Sequence, residues 1–291
     1  MRDTLNPYEA TLLEEEQTPK GVRFFRGNPT PKTITRKMIG EMTWQVFLSK
    51  RWKFIGLGLL QIALIYVFLI PVFVVTSLLD IFGLTRAPVM GILFFGLGLA
   101  FYFWELLTYM LIAGMNLRLL RGEKIFLKPT RQGCFRLFVT TLNGTCYALI
   151  CALMLLPAYV LLIPTMVMLD QTGDMFVSNI WLGIYCLGLV IFFLLSLFVL
   201  GRYAIGLHYI ADYNVGCLTA LRRTSRFTRG NTVTISLSFL LHFVVLYLIG
   251  AFTLGLGLFA MPGYLHCWLA VIYLMTTGQY EKPTTPEISE W

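Results

Sequence analysis

Long uncharged apolar runs, broken by short segments that hold most of the lysine and arginine, constrain this chain more than any other feature. Six such runs cover roughly 54–79, 88–116, 137–168, 177–209, 232–256 and 258–278. Crossing the hydrocarbon of a bilayer takes about 20 helical residues. Each run is therefore long enough for one span, and the longer ones tilt or extend past the core. The expectation is an all-α polytopic membrane protein with six transmembrane helices, basic interfacial amphipathic segments and both termini cytoplasmic. Only Gly255, Gly257, Pro262 and Gly263 mark a turn between the last two runs, and a re-entrant hairpin is the alternative there.

Composition agrees. Of the 291 residues, 57% are hydrophobic and 13% charged, whereas a soluble domain carries about 25% charged residues. That excludes a water-soluble enzyme and leaves no room within these residues for a separate soluble domain. The first apolar run starts near Phe54 and is too long for a cleavable signal, so it is expected to act as an uncleaved anchor.

Charge asymmetry sets the orientation. Segments 34–53, 117–136 and 210–231 carry five, six and four Lys/Arg, while the connections between them carry only Arg86. Such a bias places the basic segments on the cytoplasmic side, most naturally of a bacterial cytoplasmic membrane. The net charge of +8 belongs to these juxtamembrane segments and points to anionic headgroups rather than nucleic acid. Trp44 and Trp52 stand among Arg36, Lys37, Lys50, Arg51 and Lys53, the composition of a headgroup-level anchor.

Three divisions follow. Residues 1–33, with Pro7, Pro19, Pro29, Pro31 and the acidic run Glu14–Glu16, read as a disordered tail. Residues 34–278 form the membrane domain, as three units of interfacial segment and hairpin near 34–116, 118–209 and 213–278. Residues 279–291 are a second cytoplasmic tail. Three units in one orientation differ from the inverted repeat of many secondary transporters.

The segment from Tyr213 to Gly230 reads as an amphipathic helix. At 100° per residue Arg222, Arg223, Arg226 and Arg229 share one arc, with Cys217, Ala220, Leu221, Thr224 and Phe227 opposite. Such a helix lies in the inner membrane surface, its arginines candidates for headgroup binding.

The surrounding stretch carries a family resemblance. Arg202-Tyr203, Asp212, Ala220-Leu221-Arg222-Arg223-Thr224-Ser225 and Gly230-Asn231, with Ala113-Gly114 and Arg121-Gly122-Glu123-Lys124, are the motif positions. They resemble the bacterial membrane-domain family associated with glycerophosphodiester phosphodiesterases and its stand-alone relatives of unassigned function. The resemblance implies the six-helix membrane fold over residues 34–278. It implies no hydrolase activity here, because the catalytic domain that some relatives carry is absent.

Charged residues inside spans are functional candidates by default. Glu105 and Arg202 qualify. At about 1.5 Å per residue, counting back from span ends near Asn116 and Asp212 puts both about 15–17 Å deep. The depth match suggests either a buried ion pair or a polar site for a substrate or proton. His208, His242 and His266 fall at three different depths by the same count, and a metal site needs its ligands at one level. No disulfide framework, zinc spacing, phosphate loop or hydrolase motif appears. No cofactor is expected. The reading is a non-enzymatic integral membrane protein, contacting anionic lipids and either a membrane-protein partner or a second copy of itself. The alternative is a small-molecule or lipid transporter with its site at the Glu105/Arg202 level, and an intramembrane enzyme is the weakest rival.

Overall fold

A computed structural model describes residues 23–81, 88–123, 131–157, 160, 162, 175–253 and 260–281. Most of the two tails, Arg86, Pro129, Pro164 and the Gly255/Gly257 turn lie outside the described residues. The described chain is all-α apart from one two-stranded ribbon. In order it comprises β1 (Arg23–Phe24), α1 (Arg36–Ser49), α2 (Arg51–Ile81), α3 (Pro88–Leu120), α4 (Arg131–Leu153) and α5 (Met175–Tyr203). Then come α6 (Gly206–Tyr213), α7 (Cys217–Phe227), α8 (Thr232–Phe252), α9 (Met261–Thr276) and β2 (Tyr280–Glu281).

Five stretches are long and apolar enough to cross a membrane: Arg51–Ile81, Leu93–Leu120, Gly133–Leu153, Ile180–Tyr213 and Thr232–Gly250. The sixth run supplies α9, whose 16 residues rise about 24 Å at 1.5 Å each. Within the described residues α9 falls short of the about 20 that a crossing takes, and it forms the centre of the core. From Ala270 to Thr277 every residue is fully buried, against α1, α2, α3 and α6. The α2–α9 crossing is close because Gly58 meets Gly263. A Cβ on Gly58 would stand 2.6 Å from the Gly263 amide nitrogen, so a larger residue would push the helices apart.

The core sits at the end of the bundle where the basic segments gather. Away from it the long helices turn apolar side chains outward: Val67 and Phe73 on α2, Phe95 on α3, Leu187 on α5, Tyr247 and Phe252 on α8. An apolar surface of this extent suits hydrocarbon and not water.

Two expected spans are interrupted. The third run breaks after Leu153. Pro157 has no N–H and its ring collides with the carbonyl four residues back, which is that of Leu153. The turn tightens there, with the Leu155 amide donating to the Ala152 carbonyl at 2.9 Å. The fourth run breaks at Ala204–Ile205, between α5 and α6. Pro71, by contrast, lies within the unbroken helix α2.

Candidate functional site

Helix α7 is the expected amphipathic helix, shorter at both ends than 213–230. Asn214, at φ 51°, ends α6 in the left-handed conformation, and Gly216 opens α7. Ala220, Thr224 and Phe227 are buried and Cys217 and Leu221 half-buried. The Phe227 ring packs 5.7 Å from that of Tyr209. Arg222, Arg223, Arg226 and Arg229 are all exposed. Burial of one face holds the other in a fixed orientation. Arg223 is held further, its Nη1 donating to the Tyr209 hydroxyl at 2.9 Å.

The cationic surface extends beyond α7. Asn231, just past Gly230 (φ 86°), accepts from the Ile34 amide at 3.1 Å and donates to the Lys32 carbonyl at 2.8 Å. This ties the chain entering α1, with exposed Arg36 and Lys37, to the end of α7. Thr35 caps α1, its hydroxyl accepting from the Met38 amide. Ile39, Met42, Thr43, Val46 and Phe47 face inward, which leaves Trp44 and Leu48 exposed on the other side, and Trp52 is exposed at the start of α2. These tryptophans and the neighbouring cations make a surface suited to the headgroup level.

Beneath this surface three helix C-termini converge on one carboxylate. Gly122 (φ 73°) closes α3 and Gly278 (φ 67°) closes α9. Each allows the back-bonded turn that L side chains resist: Glu123 amide to Arg118 carbonyl, Gln279 amide to Leu274 carbonyl. The turns deliver Arg121 and Gln279 to Asp212, in the last turn of α6. Arg121 donates to both Asp212 oxygens at 2.8 and 2.6 Å, and to Gln279 Oε1 at 2.7 Å. The Tyr273 hydroxyl donates to Asp212 Oδ2 at 2.8 Å. The two charged side chains are only 5% and 4% exposed.

Cations gather here because helix C-termini present unpaired carbonyls and the negative end of the helix dipole. Arg26 donates to the Asp212 carbonyl at 2.9 Å, and Lys50 donates to the Leu119 carbonyl at 2.7 Å. Burial opposes the charge on Arg121, but the hydrogen bonds and charge of Asp212 outweigh it and hold the guanidinium above its ordinary pKa. Lys50, whose acceptor is neutral, is pulled below its ordinary value by burial. The ribbon closes the end of the bundle, Arg23 pairing with Glu281 and Phe24 with Tyr280.

The expected pairing of Glu105 with Arg202 is not what the structure brings together. Arg202 lies in the last turn of α5, where Nε donates to Ser225 Oγ at 3.0 Å and its carbonyl accepts from the Thr228 hydroxyl at 2.9 Å. It therefore sits at the level of α7. The depth count assumed one helix through to Asp212, and the break at Ala204–Ile205 removes that premise. Glu105, within the unbroken α3, is exposed and forms no ion pair with Arg202.

The histidines also require correction. His208 and His266 were expected at separate depths, yet both pack on the Tyr109 ring, at 5.9 and 5.1 Å between centroids. The depth count placed His266 near the outer surface; α9 is instead short and seated deep. His242 stands apart on α8, bonded to Ser238. Among the described residues no group of three or more His, Cys, Asp or Glu could hold a metal ion.

Comparison with known proteins identifies no relative: no family model, curated protein or solved structure matches this chain.

Proposed function

We propose that this protein is a non-enzymatic membrane component whose basic end faces the cytoplasm and engages anionic lipid headgroups. Its role would then lie in membrane organisation or envelope maintenance. One observation carries the reading. Arg222, Arg223 and Arg226 are exposed on α7, whose opposite face is locked into the core, and Arg229 is exposed just past its end. A guanidinium offers a planar fork of donors matched to phosphate oxygens, and this helix presents three of them on one face, with Arg229 following in the turn after it. Trp44 and Trp52 supply the aromatic neighbours that favour the same depth.

The resemblance to the phosphodiesterase-associated membrane-domain family belongs to the same proposal. Its support is that the quoted motif positions hold one another: Arg121 grips Asp212, and Arg202 bonds Ser225. These contacts give the motif a role in holding the basic end together, with no catalytic role required.

The test uses full-length protein in detergent micelles titrated with phosphatidylglycerol or phosphatidylcholine, with bound lipid counted by native mass spectrometry. The expected result is preferential retention of the anionic lipid. It should weaken when Arg222, Arg223, Arg226 and Arg229 are changed to Gln and when salt is raised. Each cation near an anionic surface contributes about 1 kcal/mol, and a loss of 1–2 kcal/mol already changes an equilibrium about 5–30-fold. Equal retention of both lipids by the wild-type protein would remove the headgroup reading.

A further inference from the structure

Helices α3, α6 and α9 pack on one another in the most buried part of the molecule, and each turns polar residues toward the shared seam. On α3, Glu105, Tyr109 and Asn116 fall within about 40° of one another at 100° per residue. On α6, His208 and Asp212 are four residues apart; on α9, His266 and Tyr273 are seven apart. The ring contacts show that these stripes meet. Tyr109 lies against His266 and His208, and His208 stacks on Tyr273 at 6.2 Å. Tyr273 in turn bonds Asp212. From α2, Gln61 bonds His266 Nε2.

The contacts run from Tyr109 to the ionised cluster at the basic end, and Glu105, an exposed carboxylate within a membrane span, stands one turn from Tyr109 on the same face of α3. The seam's far end reaches the surface through Arg26, whose side chain is 55% exposed. Glu105 and Asn116 are separated by about 16 Å of helix rise.

The seam is also short of hydrogen bonds. Both ring nitrogens of His208, Nδ1 of His266, and the amide nitrogen and oxygen of Asn116 are buried without a protein partner. His208 and Asn116 are fully enclosed. Packing alone would favour apolar side chains at such positions, since an unpaired polar atom in hydrocarbon is unfavourable. Titratable groups in a membrane interior are the usual constituents of ion and proton routes. Here four protonatable groups, Glu105, His266, His208 and Asp212, are interspersed with the hydroxyls of Tyr109 and Tyr273.

We propose that this seam is a proton path, with water bridging the unpaired positions. A proton from water entering between the helices on the side away from the basic end is taken up on a Glu105 carboxylate oxygen. It moves along the seam as each imidazole gains a proton on one nitrogen and releases one from the other, while each tyrosine hydroxyl accepts one and donates one. It leaves at the Asp212 end beside Arg26. No electron is transferred, and the charge moved is balanced by a counter-ion crossing the membrane. The proposal is independent of headgroup binding, which rests on the exposed arginines of and after α7.

The test reconstitutes full-length protein into liposomes holding a pH-sensitive dye, with a potassium gradient and valinomycin to impose a membrane potential. Wild-type protein should acidify or alkalinise the lumen faster than protein-free liposomes, with the direction set by the potential. E105Q should fall to the protein-free rate, as should H208F. H242F, altered outside the seam, should conduct like wild type. Gel filtration before reconstitution verifies folding. Should H208F not fold, E105Q decides alone, because Glu105 is exposed and Gln preserves its shape. Wild-type flux equal to that of protein-free liposomes, or E105Q flux equal to wild type, would overturn the proposal.

Discussion

Removing either member of the Arg121–Asp212 pair should be among the most damaging single changes in this protein. Asp212→Leu leaves the Arg121 guanidinium nearly enclosed, with two of its hydrogen bonds gone. It also strands the Tyr273 hydroxyl, which donates to the same carboxylate. Breaking one side of a buried pair costs about 3–5 kcal/mol, which shifts the folded-to-unfolded ratio by between about a hundredfold and a few thousandfold. Arg121→Met should cost a similar amount by leaving the Asp212 carboxylate with the Tyr273 hydroxyl and, as its nearest cation, the distant Arg26 at 3.8 Å. The double variant removes both charges and should recover much of the loss, although Tyr273 and Gln279 still lack their partners. Arg121→Lys should not substitute, since an ammonium cannot bridge both carboxylate oxygens and Gln279 in the planar geometry of the guanidinium. The assay is reversible unfolding of the full-length protein in mixed micelles, followed by tryptophan fluorescence and analysed as a double-mutant cycle. Additive single effects, or a loss below about 1 kcal/mol for either change, the range of an exposed pair, would refute the reasoning.

Three further outcomes are expected. Asn231→Ala removes both side-chain bonds to the segment entering α1 and should cost about 1–3 kcal/mol; hydrogen exchange at the Ile34 amide should speed up. Gly58→Val should cost about 1–3 kcal/mol of thermal stability by overpacking the α2–α9 crossing, whereas Gly56→Ala, which meets open space, should cost far less. In variants retaining Trp52 as their single tryptophan, lipids brominated near the headgroup should quench its fluorescence more than lipids brominated near the chain ends, since it is 72% exposed at the predicted headgroup level. Stronger deep quenching would contradict that placement.

The helical class was legible because apolar runs without charge leave little alternative, and the α7 face was legible because an 11-residue helix displays its periodicity locally. What escaped was long-range. Arg121 and Asp212 are 91 positions apart, and each resembles an ordinary charge in a wet loop. Nothing local shows that three helices end at one point, although Gly122 and Gly278 are the kind of residue that closes such helices. The fourth run is apolar through Ala204–Ile205, so its pattern hid the break that moves Arg202 to the level of α7. His266 was misplaced because depth counting ignores how α9 packs against α3 and α6, which brings His266 to the same ring as His208. The resemblance motif drew attention to Arg121, Asp212, Arg202 and Ser225, and their contacts supply a physical reason for those residue types.

The central claim is that the basic end of this bundle lies at the cytoplasmic face of a membrane. Single cysteines at positions 37, 174 and 222, introduced into a cysteine-free background, test it most directly. In intact bacterial cells expressing the protein, a membrane-impermeant maleimide should label position 174. Positions 37 and 222 should react only after the membrane is permeabilised. Labelling of 37 or 222 from outside intact cells would contradict the account.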